Sequence, residues 1–499
     1  MKLTIKIASQ SVLSSILTIM SVSGQDRPNI IWLMSEDIGH DIECFGMTAV
    51  KTPNLNRLAE GGVKYTQCYC TNPISSPSRS AMMTGVYQSK INSQHHRSNR
   101  EVPLEAPYAP FTSFLREAGY TCILGSNYVM GKGRKIDVNF KHTPLGKWDG
   151  KENFGLFDKF DELTRNDQPF FAQIQLNVTH RGDWWDDIKA QSTHPVSPDS
   201  VVLPPYYLDD PIIRQDWAKY LDQIEYMDSE VGRIIQDLKD KGLYENTVII
   251  FIGDNGRCNL MGKGFLFDTG IHIPLIVSWP QRLEGGKVID DIVSTIDITA
   301  SILDIAKIEL PLFTDGRPFI RQQQKIRDYA YSARDLWDEV MDKSRSITTK
   351  KWKYIRNYMN YIPFDAHHAY MEFYRPAIHV MRKKFILGEL NKYQKLYFEY
   401  FKPEEQLFDL ENDPHELVNL AYDERYKAEL DHLRKILEME EARNIPNKYI
   451  FYPETPTSVR ILDYVKYYYP EKYEKMLKGE EIGFGKFTSL YNKLLKRDK

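Results

Sequence analysis

Cysteine is scarce in this sequence: five residues in 499, an odd number. A disulfide framework needs paired cysteines and mostly serves small domains without a sufficient core, so it is not expected here. Cys68-Tyr69-Cys70 has one residue between its thiols, not the two of a redox or zinc motif, and reads as core packing. A charge excess of either sign is also missing, with 65 Lys and Arg against 68 Asp and Glu. That balance gives no support to a nucleic-acid partner for the whole chain, although it is silent about local fields. Beyond the first 25 residues there is no long apolar run, internal repeat or low-complexity segment, so no stable membrane insertion is expected.

What the N-terminus does contain is a short apolar stretch from Val12 to Val22. Lys2 and Lys6 precede it and the small residues Ser21, Ser23 and Gly24 close it. This pattern reads as a signal peptide over 1–24, cut near Ser23 to Gln25, which implies a secreted or periplasmic protein. A disordered or cytosolic N-terminal helix is the alternative. No cysteine closes the run, so a lipid anchor is not indicated.

Three runs stand out further along. Asn29–Met34 is continuously apolar and ends in Glu36-Asp37, Val248–Ile252 ends in Asp254-Asn255-Gly256, and Phe170–Val178 alternates before Thr179-His180. Continuous β-rich runs suit strands covered on both faces, and such sheets collect polar chemistry at strand carboxyl ends. Helical spacing follows from Trp217 to Leu238, after Thr52-Pro53-Asn54 and from Phe111 to Ala118. The expected class is α/β, with a larger unit over 25–325. From residue 326 to 499 the texture changes to short antiparallel strands (Tyr329–Tyr331, Ser344–Thr348, Trp352–Arg356, Gln406–Leu410) and a charged, Tyr-rich helical tail. That describes a smaller α+β unit.

Glu36, Asp37, Asp254 and Asn255 offer hard oxygen and neither Cys nor His, which suits Ca²⁺ or Mg²⁺ over zinc. Taken singly, each pair could be a loop cap or a turn. In Ser75-Ser76-Pro77-Ser78-Arg79, Pro77 fixes the backbone after the serine, and Arg79 can return to the serine's face at a helix start. A serine beside a guanidinium and a dication is placed to attack an anionic sulfur or phosphorus centre. The chemistry alone leaves those two centres open.

The run Ser75–Gly85 resembles the signature of the type I sulfatases, whose fold is the alkaline-phosphatase-like mixed sheet flanked by helices. Arg27-Pro28-Asn29-Ile30, Thr52-Pro53-Asn54-Leu55, Gly262-Lys263-Gly264, Gly270–Pro274 and Leu407–Pro414 resemble further blocks of that family in order. The resemblance covers about residues 26 to 440 and lies closest to heparan N-sulfatase-like and related bacterial glycan sulfatases. It implies that Ser75 is oxidised to 3-oxoalanine (formylglycine) by a serine-type maturase, an oxygen-independent route acting before export from a bacterium. It also implies calcium held by Glu36, Asp37, Asp254, Asn255 and the modified Ser75, and sulfate contacts from Arg79 and Lys263. His180 would protonate the leaving alcohol, and a sulfated saccharide of the glycosaminoglycan type would be the substrate.

Two departures matter. The usual Asp-Asp pair is Glu36-Asp37 here, one methylene longer. The family's Gly-Lys-x-His block is missing after Gly119-Tyr120, where Gly125-Ser126-Asn127-Tyr128 stands. Arg134-Lys135-Ile136-Asp137 resembles a Lys-x-Asp variant, so Lys135 is expected as the second sulfate-binding lysine and Asp137 as the base, with Lys132 competing. His95 and His96 are expected to line the pocket, and Arg334 and Asp335 to meet the sugar. Trp184 and Trp185 could stack on a sugar face or pack their loop. A phosphate or phosphonate ester hydrolase with unmodified Ser75, and an inactive glycan-binding homologue, are the alternatives.

Overall fold

The computed structural model describes residues 27–182, 184–338, 340–444, 466 and 470–478. The expected leader over 1–24, and Tyr464 and Tyr467–Tyr469 of the tail, lie outside the described residues.

The larger unit contains β1 (Asn29–Ser35), β2 (Val63–Tyr69), β3 (Thr121–Leu124), β4 (Thr143–Leu145), β5 (Gly155–Phe157), β6 (Lys159–Phe160), β7 (Phe170–Leu176), β8 (Thr247–Gly253), β9 (His272–Ser278) and β10 (Lys287–Ser294). Eight of these form one sheet in the order β10-β2-β9-β8-β1-β7-β3-β6, while β4 and β5 pair separately. All neighbours in the large sheet run parallel except β9, which is antiparallel to β8 and to β2. The class is therefore a mixed α/β sheet. Every residue of β1, β7 and β8 is buried, as expected for strands covered on both faces by helices. For β7 this differs from the one-sided alternation in the sequence, since Gln173 and Gln175 on its second face are buried too.

Register decides where the chemistry collects. Ser35 at the end of β1 pairs with Leu176 of β7 and with Gly253 of β8. The next residues, Glu36 and Asp254, extend the same ladders through Glu36 N–H to Leu176 O and Asp254 N–H to Ser35 O. Because β2 runs parallel to β1, it also leaves the sheet at this edge and leads into the helix Ser75–Thr84.

That helix is buried along its whole length. Pro77 falls in its first turn, where the backbone N–H has no intrahelical partner to lose. Gly85 ends the helix in the left-handed region (φ 71°), which a side chain would make costly, and returns its N–H to Ala81 O. The long helix Pro211–Asp240 is started by Pro211 and by the Asp210 carboxylate, which accepts from Ile212 N–H. It packs on the helix Pro53–Glu60, and a Cβ at Gly232 would lie 2.6 Å from the Asn54 side chain.

The second sheet is antiparallel throughout: β11 (Ala330–Arg334), β12 (Ser344–Thr348), β13 (Trp352–Asn357) and β14 (Glu405–Asp409). It is sewn to the segment leading into Ser75. Ser332 Oγ donates to Cys70 O, Ala333 N–H donates to Thr71 O, and Asn72 Nδ2 donates to Ala333 O. The helix Lys427–Arg443 covers this sheet, and its Leu430, Leu433 and Leu437 share a cluster with Ala81 of the buried helix. All five cysteines are free and four are buried. Among the described residues no helix is long and apolar enough to cross a membrane.

Candidate active site

Ser75 occupies the first position of its helix, and its hydroxyl donates to Asn255 Oδ1 at 2.8 Å. Asn255 in turn donates from Nδ2 to Asp37 Oδ1 at 3.0 Å. Asp37 has left-handed backbone (φ 50°), a conformation uncommon outside glycine, and its N–H meets Asp254 Oδ1 at 3.1 Å. Carboxylate oxygens of Glu36, Asp37 and Asp254 lie within 4.8 Å of one another, all buried. Asp37 Oδ2 is buried without a hydrogen-bond partner. Three crowded, buried carboxylates with an orphaned oxygen and no nitrogen or sulfur donor fit a hard divalent cation.

Cations line the other side. Arg79 Nε donates to Asp254 Oδ2 at 3.0 Å, and its Nη2 is held by Gln175 Oε1. Lys263 Nζ lies 2.7 Å from Asp37 Oδ1. Lys135 Nζ lies 2.6 Å from Glu36 Oε1 and 3.6 Å from Asp137 Oδ2. Burial pushes each carboxyl up, and for Asp37 the Lys263 ammonium, together with His180 and the Asn255 hydrogen bond, more than reverses it, holding the group below the usual range. Glu36 is likewise lowered against its burial, through Lys135, His180 and Arg79. Asp254 ends raised, because burial and the two neighbouring carboxylates outweigh Arg79.

His180 Nε2 stands 4.0 Å from both Glu36 Oε2 and Asp37 Oδ2, with Nδ1 3.0 Å from Arg181 O. Burial lowers its pKa to about 4, with the Glu36 and Asp37 carboxylates opposing and Lys263 and Lys135 adding to the effect. Its loop is fixed by indoles: Trp184 Nε1 donates to Val178 O and Trp185 Nε1 to His180 O, both at 2.9 Å. Trp185 also carries the Arg181 guanidinium on its ring at 4.4 Å. Both indoles thus pack the loop that carries His180.

The Lys-x-Asp segment enters the site, whereas Lys132 points away to Asp161. Asp137 does not have the character of a base. Burial raises its pKa, but Lys135, Arg97, His96 and Arg100 together hold the carboxyl well below the usual range. An anion stabilised that strongly is a poor proton acceptor.

His96 Nδ1 meets Ser76 Oγ at 2.8 Å, and its Nε2 lies 3.4 Å from Asp338. His95 sits beside the same wall, with Nδ1 3.4 Å from Leu336 N. Burial lowers both rings, to about 4 for His95 and about 3 for His96. Arg334 and Asp335 correct another expectation. They are taken up in buried ion pairs, Arg334 with Asp342 at 2.8 Å and Asp335 with Arg345 at 2.9 Å.

The residues that the second unit does bring forward come just after and were not foreseen. Asp338 lies 3.4 Å from His368 as well as from His96. His368 stacks on Trp337 at 4.0 Å, and the Tyr370 ring lies 5.5 Å from Lys263 Nζ. A Cβ on Gly264 would overlap the Trp337 ring, so this indole lies directly on the backbone next to Lys263. Only Trp337-Asp338, adjoining the Arg334-Asp335 pair, had any signal in the sequence.

Comparison with known proteins gives the family. A family model described as Sulfatase matches residues 28–308, and one described as N-sulphoglucosamine sulphohydrolase, C-terminal, matches 256–368. An ulvan-active sulfatase of Formosa agariphila is 33% identical over 464 residues, covering 83% of this chain and 74% of that protein. The N-sulphoglucosamine sulphohydrolase of Homo sapiens is 26% identical, over 82% of this chain and 89% of that one. A structure described as BT4656 in complex with its substrate D-glucosamine-2-N,6-O-disulfate superposes with a TM-score of 0.57 at 16% identity, over 85% of this chain and 99% of that one.

Proposed function

The chain belongs to the sulfatase family, and from that premise we propose that it hydrolyses a sulfate ester or sulfamate on a sulfated carbohydrate of the glycosaminoglycan type, using a nucleophile made from Ser75. The observation that carries this reading is the contact of Ser75 Oγ with Asn255 at the rim of the buried carboxylate cluster. Relatives that act on sulfated glycans support the substrate class.

Each residue then has a task. Glu36, Asp37, Asp254 and Asn255 are the ligands of calcium in this proposal. That ion, when bound, would supply positive charge beside the nucleophile and the sulfate oxygens. Oxidation of Ser75 to formylglycine by a serine-type maturase would supply a hydrated aldehyde, whose second hydroxyl allows the sulfated enzyme to release its sulfate. Arg79, aimed by Gln175, and Lys263 and Lys135 neutralise the charge of the sulfate as its bond to the sugar breaks. Asp137 positions Lys135. His180 presents Nε2 to the cleft, and a bound anion beside it raises its proton affinity so that it can serve the departing oxygen. The leader, if cleaved, places the protein outside the cytoplasm.

Mass spectrometry of the peptide holding Ser75 tests the nucleophile, on protein made in a host with a serine-type maturase. The expected species is two hydrogens lighter than serine, or that species plus water. Intact serine in a protein that turns over a phosphonate ester and no sulfate ester would replace this reading by the phosphoester one.

A further inference from the structure

From the charges at the mouth of the site, we infer that Arg97 and Arg100 form a second anion subsite, which accepts a carboxylate or an additional sulfate on the same saccharide. The inference rests on the sulfatase reading and narrows its substrate to one with at least two negative groups.

Two guanidiniums share a single carboxylate. Arg100 Nη2 pairs with Asp137 Oδ1, and Arg97 Nε lies 3.6 Å from the same oxygen. Asp137 also neutralises Lys135 at 3.6 Å. The next carboxylate along, Asp338, is engaged by His96 and His368. The cations deeper in the site are matched and buried: Arg79 by Asp254, Lys263 by Asp37. By contrast the side chains of Arg97 and Arg100 are 49% and 38% exposed. The site is thus graded, from buried ion pairs around Ser75 to two half-exposed guanidiniums that share one carboxylate at its rim.

The position of that charge is fixed. Arg97 adopts left-handed backbone (φ 53°), uncommon for a residue with a long side chain, and its N–H donates to Ser76 Oγ at 3.0 Å. Its main chain is therefore pinned to the residue after the nucleophile. Asp137, itself buried, holds both guanidiniums from beneath, two ionic contacts from Glu36 by way of Lys135. Planar guanidiniums with open donors recognise carboxylate and sulfate oxygens through paired hydrogen bonds.

Calorimetry on full-length Ser75→Ala protein with calcium reads the subsite whether or not turnover occurs. The probes are a monosulfated disaccharide without other charge, the same disaccharide with a uronate in place of its neutral sugar, and a disulfated one. The expected result is about tenfold tighter binding of at least one dianionic probe over the monoanion, with a steeper salt dependence. That ratio falls toward one when Arg97→Ala and Arg100→Ala are added together, is reduced by either alone, and persists with Lys132→Ala, which removes one positive charge outside the site. Equal affinity for all probes, or a ratio that survives the double change, overturns the subsite. Separately, absence of sulfate release by the matured wild-type protein would count against the sulfatase reading without touching the binding ratio.

Discussion

Ser75 Oγ meets Asn255 Oδ1 across 2.8 Å, joining the start of a buried helix to the end of a central strand 180 positions away. Around this contact the carboxylates come from strand ends and the cations from four separate segments, so each can be tested by itself.

Arg79 is aimed by a buried glutamine. Its Nη2 rests on Gln175 Oε1 while Nε is held by Asp254. Gln175→Leu should lower kcat about tenfold with little change in KM, and Arg79→Ala about 10²–10³-fold, the cost of losing a donor to developing negative charge. Steady-state kinetics on an aryl sulfate checks both. Equal losses would mean that Gln175 does more than orient the guanidinium.

The carboxylate cluster should bind calcium whether or not the protein turns over. Binding at about 100 times Kd stabilises by about 2.7 kcal/mol. Calcium added to chelator-treated Ser75→Ala protein should therefore raise the thermal midpoint by several degrees, and Asp37→Ala should abolish the rise. Scanning calorimetry provides the readout, and a midpoint indifferent to calcium would count against the ligand set.

Glu230 gives a pH dependence far from the cluster. Its carboxyl is buried, accepts from Met130 N–H, and has a second oxygen without a hydrogen-bond partner. Burial raises its pKa from 4.5 to about 7, with the Met130 bond and Arg233 opposing. The folded chain therefore holds this proton more tightly than the unfolded one. Its contribution is present below about pH 4.5 and is lost as pH rises to about 7. Glu230→Gln keeps the acceptor and cannot ionise, so it should be more stable than the wild type at pH 8, by about 1–3 kcal/mol, and nearly equal at pH 5. Thermal midpoints at the two pH values decide.

Trp185 should act through His180. Trp185→Phe keeps a ring under Arg181 and removes the N–H that holds the His180 carbonyl. The expected effect is a three- to tenfold fall in kcat, roughly the worth of one hydrogen bond, with KM nearly constant. A loss confined to thermal stability would leave the indole a purely structural role.

What the sequence made legible was local. Apolar runs ending in Glu36-Asp37 and Asp254-Asn255 announced both the sheet and its functional edge, because parallel strands deliver their carboxyl ends together. The start of the helix at Ser75 was readable from Pro77. What stayed hidden depends on contacts between units. Gln175 looked like the solvent face of an alternating strand, yet β7 is covered on both sides. Trp337, Asp338, His368 and Tyr370 reach the site only because the second sheet is sewn to residues 70–72. Arg334 and Asp335 carried the same polar signal and went into buried pairs instead. Asp137 was legible in place and not in character, since Lys135 is joined in lowering its pKa by Arg97, His96 and Arg100, which the spacing does not connect to it.

The most direct test of the account is inorganic sulfate released from a panel of sulfated mono- and disaccharides, measured by ion chromatography with matured wild-type and Ser75→Ala protein. The account predicts sulfate release by the wild type, lost in Ser75→Ala and on chelation. No sulfate from any member of the panel, by matured protein that does hydrolyse a phosphate or phosphonate ester, would contradict it.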